Sequence, residues 1–158
     1  NTFNGNEIQI GLNWSQRNIY TGPDQDLIFE EFEPIIKLQG AAFTNLTSTS
    51  NETLKGHMRD LDVLNISEFI RDYDDLLTII DQLDLLVTTD SLTAHLAGAL
   101  GKPTIVLLPL LPNWCWGYKT IKSSYYPNHT LIRQSVENNW DRPIQRTITF
   151  LRKHYGLS

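Results

Sequence analysis

A polar cluster containing residue types that bind anions lies in the stretch 88–103, TTDSLTAHLAGALGKP. Residues 84–89 form a nearly continuous apolar run, which is typical of a strand buried on both faces. Residues 91–100 have the pattern of a helix, which Gly101 and Pro103 would end. In open parallel sheets ligands bind beyond the carboxyl ends of the strands. This strand-to-helix turn is therefore the first candidate site.

The start of that helix predicts a site for a negatively charged group. Asp90 or Ser91 is placed to act as the N-cap. The backbone amides of Leu92, Thr93 and Ala94 come next, have no partner within a helix, and lie at its partly positive end. A diphosphate fits such an end. Asp90 equally suits the role of a plain cap without ligand contact.

His95 follows one turn into the same helix. Helical side chains lean toward the N-terminus, so its ring is within reach of an anion held by the first amides. A second interpretation rests on spacing, because the positions typical of a core-facing stripe are Leu92, His95, Leu96, Ala99 and Leu100. In that case His95 is a hydrogen-bonded structural residue, and both interpretations stay open.

Strand and helix patterns alternate along the chain. Strands are predicted at 7–14, 41–46, 61–66, 84–89, 104–108 and 130–133, and helices at 27–38, 74–83, 91–100 and 140–155. Pro34 weakens the first helix, which is expected to start late or to kink there. Residues 47–60 are polar without a clear pattern, and residues 109–127 form a long aromatic loop. The alternation predicts one α/β domain over residues 1–158, with a parallel sheet of about six strands and helices on both faces.

Composition excludes several classes of protein. The 158 residues are 41% hydrophobic and carry a net charge of −5, which leaves no basic stripe for a nucleic-acid partner. No apolar run approaches the roughly 20 residues of a membrane span. A single cysteine, Cys115, allows no intrachain disulfide and indicates a reducing, cytoplasmic setting. The start at Asn1, without Met or signal core, suggests a piece cut from a longer protein.

Motifs of other chemistries are missing from the sequence. No G-x-G-x-x-G follows the first strand and no G-x-x-x-x-G-K-[ST] occurs, which argues against a dinucleotide oxidoreductase and excludes a P-loop. The four histidines lack metal-ligand spacing, so we expect no metal site. On the aromatic loop, Trp114 and Trp116 flank Cys115. Their rings are suited to stack on a sugar or base, or alternatively to anchor the loop itself.

The stretch from Asp90 to Pro103, D-S-L-T-A-H-L-A-G-A-L-G-K-P, resembles the donor-site motif of glycosyltransferase family 9, the heptosyltransferase-like group. It is most similar to the bacterial branch often joined to tetratricopeptide repeats. Four other segments resemble the family in the same order: 10–14 (IGLNW), 72–84 (DYDDLLTIIDQLD), 107–116 (LLPLLPNWCW) and 125–134 (YYPNHTLIRQ).

This resemblance implies the C-terminal, Rossmann-like half of a GT-B enzyme. That half binds the nucleotide-sugar donor without a metal or cofactor, and its partner is an N-terminal acceptor-binding domain or a tetratricopeptide segment. The implied donor and phosphate contacts are Asp90, Ser91, Leu92, Thr93, His95 and Arg17. The implied nucleoside or sugar contacts are Asn13, Trp14, Asn65, Ser67, Trp114 and Trp116.

Three positions depart from the family pattern. Leu92 stands where glycine or serine is common, Gln25 falls where an arginine is expected, and Cys115 replaces the arginine of a W-R-W segment. Arg17 is the candidate to replace the missing cation. These departures support an alternative function, a nucleotide- or sugar-binding or interaction module that has kept the fold and lost catalysis.

Overall fold

The computed structural model describes residues 7–14, 27–137 and 139–158, and within them six parallel strands form one sheet. The strands are β1 (Ile8–Asn13), β2 (Ala41–Asn45), β3 (Val63–Asn65), β4 (Leu85–Thr89), β5 (Thr104–Leu108) and β6 (His129–Arg133). Their order is β3-β2-β1-β4-β5-β6, so β2 and β3 lie on one side of β1, and β4, β5 and β6 lie on its other side. This Rossmann-like, doubly wound arrangement confirms the predicted fold class.

The helices are α1 (Glu33–Ile36), α2 (Glu52–Asp60), α3 (Tyr73–Gln82), α4 (Leu92–Ala99) and α5 (Asp141–Tyr155). Helices α1, α2 and α5 contribute to the larger core, whereas α3 and α4 cover the opposite face of the sheet. None of the helices in the described part of the chain is long and apolar enough to cross a bilayer.

Both faces of the central strands are buried. In β4, Leu85 and Val87 belong to the larger core together with Ile144 of α5, while Leu86 packs with Ile80 of α3 on the other face. Successive side chains of a strand point to opposite faces. A strand covered on both sides is therefore largely apolar, which explains the apolar runs 85–87 in β4 and 105–108 in β5.

The helix predicted at 27–38 starts late, next to Pro34, and is shorter than the predicted range. A 3₁₀ turn at Phe29–Phe32 is followed by the short α1. Pro34 sits in the first turn of α1, where its missing N–H does no harm, whereas inside a longer helix it would remove a hydrogen bond. The proline therefore divides the segment.

Helix α2 lies in the polar stretch 47–60, for which the sequence predicted no element. The side chain of Asn51 caps it by accepting a hydrogen bond from the Leu54 amide at 3.2 Å. Met58 is its one fully buried side chain. Its two apolar residues, Leu54 and Met58, cover only one repeat of helical spacing, which is too short a pattern to predict a helix.

The spacing argument for α4 chose the wrong face. Thr93, Ala94 and Ala97 are its buried residues, whereas Leu92 and Leu100 are 50% and 41% exposed. The small side chains of Ala94 and Ala97 let α4 lie close to the sheet. The helix therefore turns these residues toward the sheet, and Leu92 and Leu100 point toward solvent. The stripe that would have made His95 a core residue is therefore not the buried one.

Candidate functional site

The carboxyl ends of β1 and β4 meet at the point where the strand order reverses. There the side-chain amide of Asn13 donates hydrogen bonds to Thr88 Oγ1 at 3.1 Å and to Ser91 Oγ at 3.0 Å. Ser91 is the N-cap residue of α4, but its side chain makes no capping bond. Its hydroxyl instead joins the two central strands to the start of the helix. Crevices at such switch points are the usual ligand sites of open α/β sheets.

The polar network continues along the same edge toward β3. Thr47 Oγ1 donates to Asn13 Oδ1 at 3.0 Å, and the Asn45 amide donates to Asn65 Oδ1 at 2.8 Å. Asn65 Oδ1 also accepts from Ser67 Oγ at 2.8 Å. The structure therefore connects the predicted residues Asn13, Asn65 and Ser67 to one another.

Asn45 and Thr47 are the links that sequence reasoning missed. Asn45 is fully buried, and its Oδ1 accepts a 2.7 Å hydrogen bond from the Thr47 amide. The available signal was an asparagine near the carboxyl end of a predicted strand, at the edge where ligands bind. Because the side-chain hydrogen bonds of Asn45 are all made to other groups of the protein, Asn45 stabilises the conformation of this edge of the sheet.

A pocket of about 370 Å³ opens above the switch point. It is lined by Asn13, Leu46, Thr47, Ser48, Asp90, Ser91, Leu92 and Thr93. Of the three amides predicted to face an anion, that of Ala94 bonds to the Ser91 carbonyl at 3.1 Å, whereas Leu92 and Thr93, which carry the other two, line the pocket. The half-exposed side chain of Leu92 stands on the pocket wall. We call this space the switch-point pocket.

Asp90 lines the switch-point pocket and also affects Cys115 of the aromatic loop. Burial raises the pKa of the Cys115 thiol, and the negative charge of Asp90 raises it further. The carboxylate is thus within electrostatic reach of the thiol. A thiol with a raised pKa is protonated at neutral pH, so Cys115 is not a nucleophile.

His95 contacts the aromatic loop. Its Nδ1 is 2.9 Å from the Tyr126 hydroxyl, and its ring stacks on Trp116 with centroids 5.1 Å apart. Together with Cys115 and Tyr125 these residues line a second, smaller pocket. His95 is not among the residues that line the switch-point pocket. Contact between His95 and an anion stays a prediction.

The two tryptophans of the loop have different environments. Trp116 is 2% exposed and stacks between His95 and His129, so it anchors the loop to the body of the domain. Trp114 is 81% exposed and presents its ring to solvent. Of the two alternatives, anchoring describes Trp116 and only Trp114 is free to stack on a sugar or base.

Trp14 points away from the switch-point pocket. It is buried in the larger core, with its ring centroid 5.1 Å from that of Phe29 and 6.0 Å from that of Phe32. Its neighbour Asn13 faces the pocket because successive residues of a strand point to opposite sides. Arg17 lies outside the described residues, as does Gln25.

No protein-family model matches the chain, and no curated protein matches it. The solved structures that share its fold include two glycosyltransferases. One is the ADP-heptose LPS heptosyltransferase II of E. coli, with a TM-score of 0.68, 18% sequence identity, and a match covering 96% of this chain and 47% of that one. The other is a glycosyl transferase family 9 protein of Veillonella parvula, with a TM-score of 0.56, 14% identity, and a match covering 97% of this chain and 40% of that one.

The chain therefore has the fold of one part of these glycosyltransferases and spans less than half of their length. This is the Rossmann-like fold that the resemblance to the heptosyltransferase-like family implies, so that expectation is confirmed. Among the described residues no group of three or more histidine, cysteine, aspartate or glutamate side chains is placed to hold a metal ion.

Proposed function

We propose that the chain is the donor-binding half of a glycosyltransferase and holds the diphosphate of a nucleotide sugar in the switch-point pocket. The observation that carries the proposal is the junction of Asn13, Thr88 and Ser91 at the reversal of strand order. Doubly wound sheets bind nucleotides at this place. The E. coli neighbour is described as acting with ADP-heptose, which is a nucleotide sugar.

The first turn of α4 supplies the attraction for the diphosphate. Leu92 and Thr93, the first two residues of this turn, line the pocket, and the helix end carries about half a positive charge. In transfer, charge builds up on the leaving diphosphate, and fixed donors stabilise it without any rearrangement. No acid, base or metal is needed from these residues for that role.

The nucleoside and sugar then lie along the polar edge that runs from Ser91 toward Ser67. Asn65 and Ser67 end this edge at β3, where Asn65 Oδ1 accepts hydrogen bonds from the Asn45 amide and from the Ser67 hydroxyl. A preformed polar edge loses little entropy when a ligand binds. Arg17 remains the candidate second cation for the phosphates.

A second candidate function is a binding module without catalysis. The specific observation in its favour is Leu92, because its half-exposed apolar side chain stands on the wall of the switch-point pocket, where the phosphates would approach. If transfer has been lost, the full-length protein will bind nucleotide without consuming a sugar donor. Sugar transfer or donor hydrolysis that Ser91→Ala abolishes would exclude this candidate.

Isothermal titration of the folded chain with ADP, UDP, GDP and their sugar derivatives tests the main proposal. Ser91→Ala removes the hydroxyl at the junction and should weaken binding about tenfold. Ser124→Ala is the matched control, because Ser124 is exposed and lies outside the pocket. The proposal fails if the folded chain binds none of these nucleotides, or if both variants lose affinity equally.

A further inference from the structure

A pocket of about 300 Å³ with three arginines lies between the end of β6 and the first half of α5. We call it the arginine pocket; it is lined by Arg133, Ser135, Arg142, Gln145, Arg146 and Thr149. It shares no residue with the switch-point pocket, and none of its lining residues is acidic. In a chain with a net charge of −5, such a local excess of positive charge needs an explanation.

Two of the arginines are uncompensated. Within the described residues, neither Arg142 nor Arg146 takes part in an ion pair, and both are exposed. They stand four residues apart on one helix, where like charges repel each other. Arg142 is also in the first turn of α5, the partly positive end of the helix dipole. Folding alone therefore disfavours this placement.

Arg133 has a different task. Its Nη2 donates to the Trp116 carbonyl at 2.6 Å and its Nε to the Thr120 carbonyl at 3.4 Å. These bonds fix the aromatic loop to β6 and leave the charge of Arg133 at the pocket. The guanidinium groups with free donors are those of Arg142 and Arg146. A 3.4 Å hydrogen bond from Arg142 Nη1 to Ser135 Oγ orients the Arg142 side chain toward the pocket.

We propose that the arginine pocket binds a phosphate group carried by a small molecule or free in solution. Two free guanidinium groups match the charge of a phosphate monoester, which is about −1.5 to −2 at neutral pH. A carboxylate brings one charge and two oxygens, whereas a phosphate brings three acceptor oxygens that can be shared by two planar donor forks. The amide of Gln145 and the hydroxyl of Ser135 add neutral donors at the rim.

The site is independent of the proposed donor site. Arg133 ends β6, and all strands of the sheet are parallel, so the arginine pocket lies at the same edge as the switch-point pocket. Strand β6 is two strands away from β4, about 10 Å across the sheet. One phosphate cannot occupy both pockets, and each can be tested by its own variants.

Titration with inorganic phosphate and with glycerol 3-phosphate, followed by amide NMR, tests the proposal. Arg142→Gln and Arg146→Gln should each weaken binding about tenfold or more. Arg152→Gln is the matched control, because it removes the same charge from an exposed position in the last turn of the same helix. It should change affinity by less than about twofold, since exposed distant charges are screened.

The pH dependence adds a second readout. Binding of glycerol 3-phosphate should be tighter at about pH 7.5 than at about pH 5.5, because the second pKa of a phosphate monoester is about 6 and the arginines stay charged throughout. Tighter binding of glycerol 3-phosphate assigns the site to a phosphorylated small molecule, and equal or tighter binding of inorganic phosphate assigns it to the free ion. Either result supports the site.

Three outcomes would overturn the proposal. One is the absence of saturable binding by the folded chain. Another is an equal loss in Arg152→Gln, which would mean that only the overall charge matters. The third is full binding in Arg142→Gln and Arg146→Gln together with loss in Ser91→Ala, which would place the phosphate at the start of α4.

Discussion

Replacement of Gly98 by alanine tests how tightly α4 is packed against the aromatic loop. A Cβ added at Gly98 would lie 2.6 Å from two ring carbons of Tyr126. Carbon atoms pack favourably at about 3.5–4.0 Å, so the ring must move by about 1 Å. The ring has little freedom to do so, because its hydroxyl bonds to His95 Nδ1 and its backbone amide bonds to Ser123 Oγ at 3.1 Å.

The magnitude follows from two opposing terms. Replacement of a helical glycine by alanine gains about 1 kcal/mol of helix propensity. Overpacking costs about 1–3 kcal/mol, and loss of the hydrogen bond between His95 and Tyr126 adds about 1 kcal/mol. Gly98→Ala should therefore lower the free energy of unfolding by about 1–3 kcal/mol. Gly56→Ala in α2 is the control, because its Cβ meets only the Arg59 guanidinium at 3.9 Å and it should stabilise by about 0.5–1 kcal/mol.

Urea unfolding of both variants, each also made in a Tyr126→Ala background, measures these terms. Without the ring, Gly98→Ala should become stabilising, and the double-mutant cycle gives the coupling energy directly. The reasoning is refuted if Gly98→Ala stabilises the wild-type chain as much as Gly56→Ala does. It is also refuted if the Tyr126→Ala background leaves the effect of Gly98→Ala unchanged.

Burial lowers the pKa of His129 from 6.5, so on acidification the unfolded chain takes up the proton first. The free energy of unfolding should therefore fall by up to about 1.4 kcal/mol per pH unit below about pH 6.5, until the pKa of His129 in the folded protein is reached. Urea unfolding should show a smaller fall in His129→Gln, and an equal fall in that variant would contradict the reasoning. Asn45→Ala breaks three hydrogen bonds, two of them to the buried backbone of Thr47, and should cost about 3 kcal/mol, against about 1 kcal/mol for the cap variant Asn51→Ala. Trp116→Ala should cost about 3–5 kcal/mol and the exposed Trp114→Ala less than about 0.5 kcal/mol, as thermal and urea unfolding will show; equal losses would mean that the loop is not anchored as described.

The centre of the sheet could be predicted from sequence because its signals are local. The apolar runs of β4 and β5, with Gly101 and Pro103 between them, define a strand, a helix and a strand without any knowledge of the rest. Gly101 indeed adopts a positive φ of 67° after the end of α4. The position of Ser91 at a strand end was likewise enough to place it at the candidate site.

Other features depend on contacts that no local pattern records. The polar chain through Asn45 and Thr47 joins residues of different strands, and the sequence shows only that these residues are polar. Leu92 is exposed because the helix packs the small residues Ala94 and Ala97 against the sheet. The close packing of these residues outweighs the burial of the larger leucine side chain. The partner of His95 was missed because Tyr126 lies 31 residues further along the chain.

The central position of β1 has a consequence for how the protein is made. Asn13 and its partner Thr88 are 75 residues apart, so the second neighbour of β1 is synthesised long after β1 itself. At about 5–20 residues per second, a ribosome needs about 4–15 s to cover that distance. Throughout this interval the apolar edge of β1 lacks β4, and an unpaired edge is where nascent chains aggregate. We therefore expect the protein to depend on slow, late closure of its sheet, and to benefit from chaperones that hold β1 until β4 arrives.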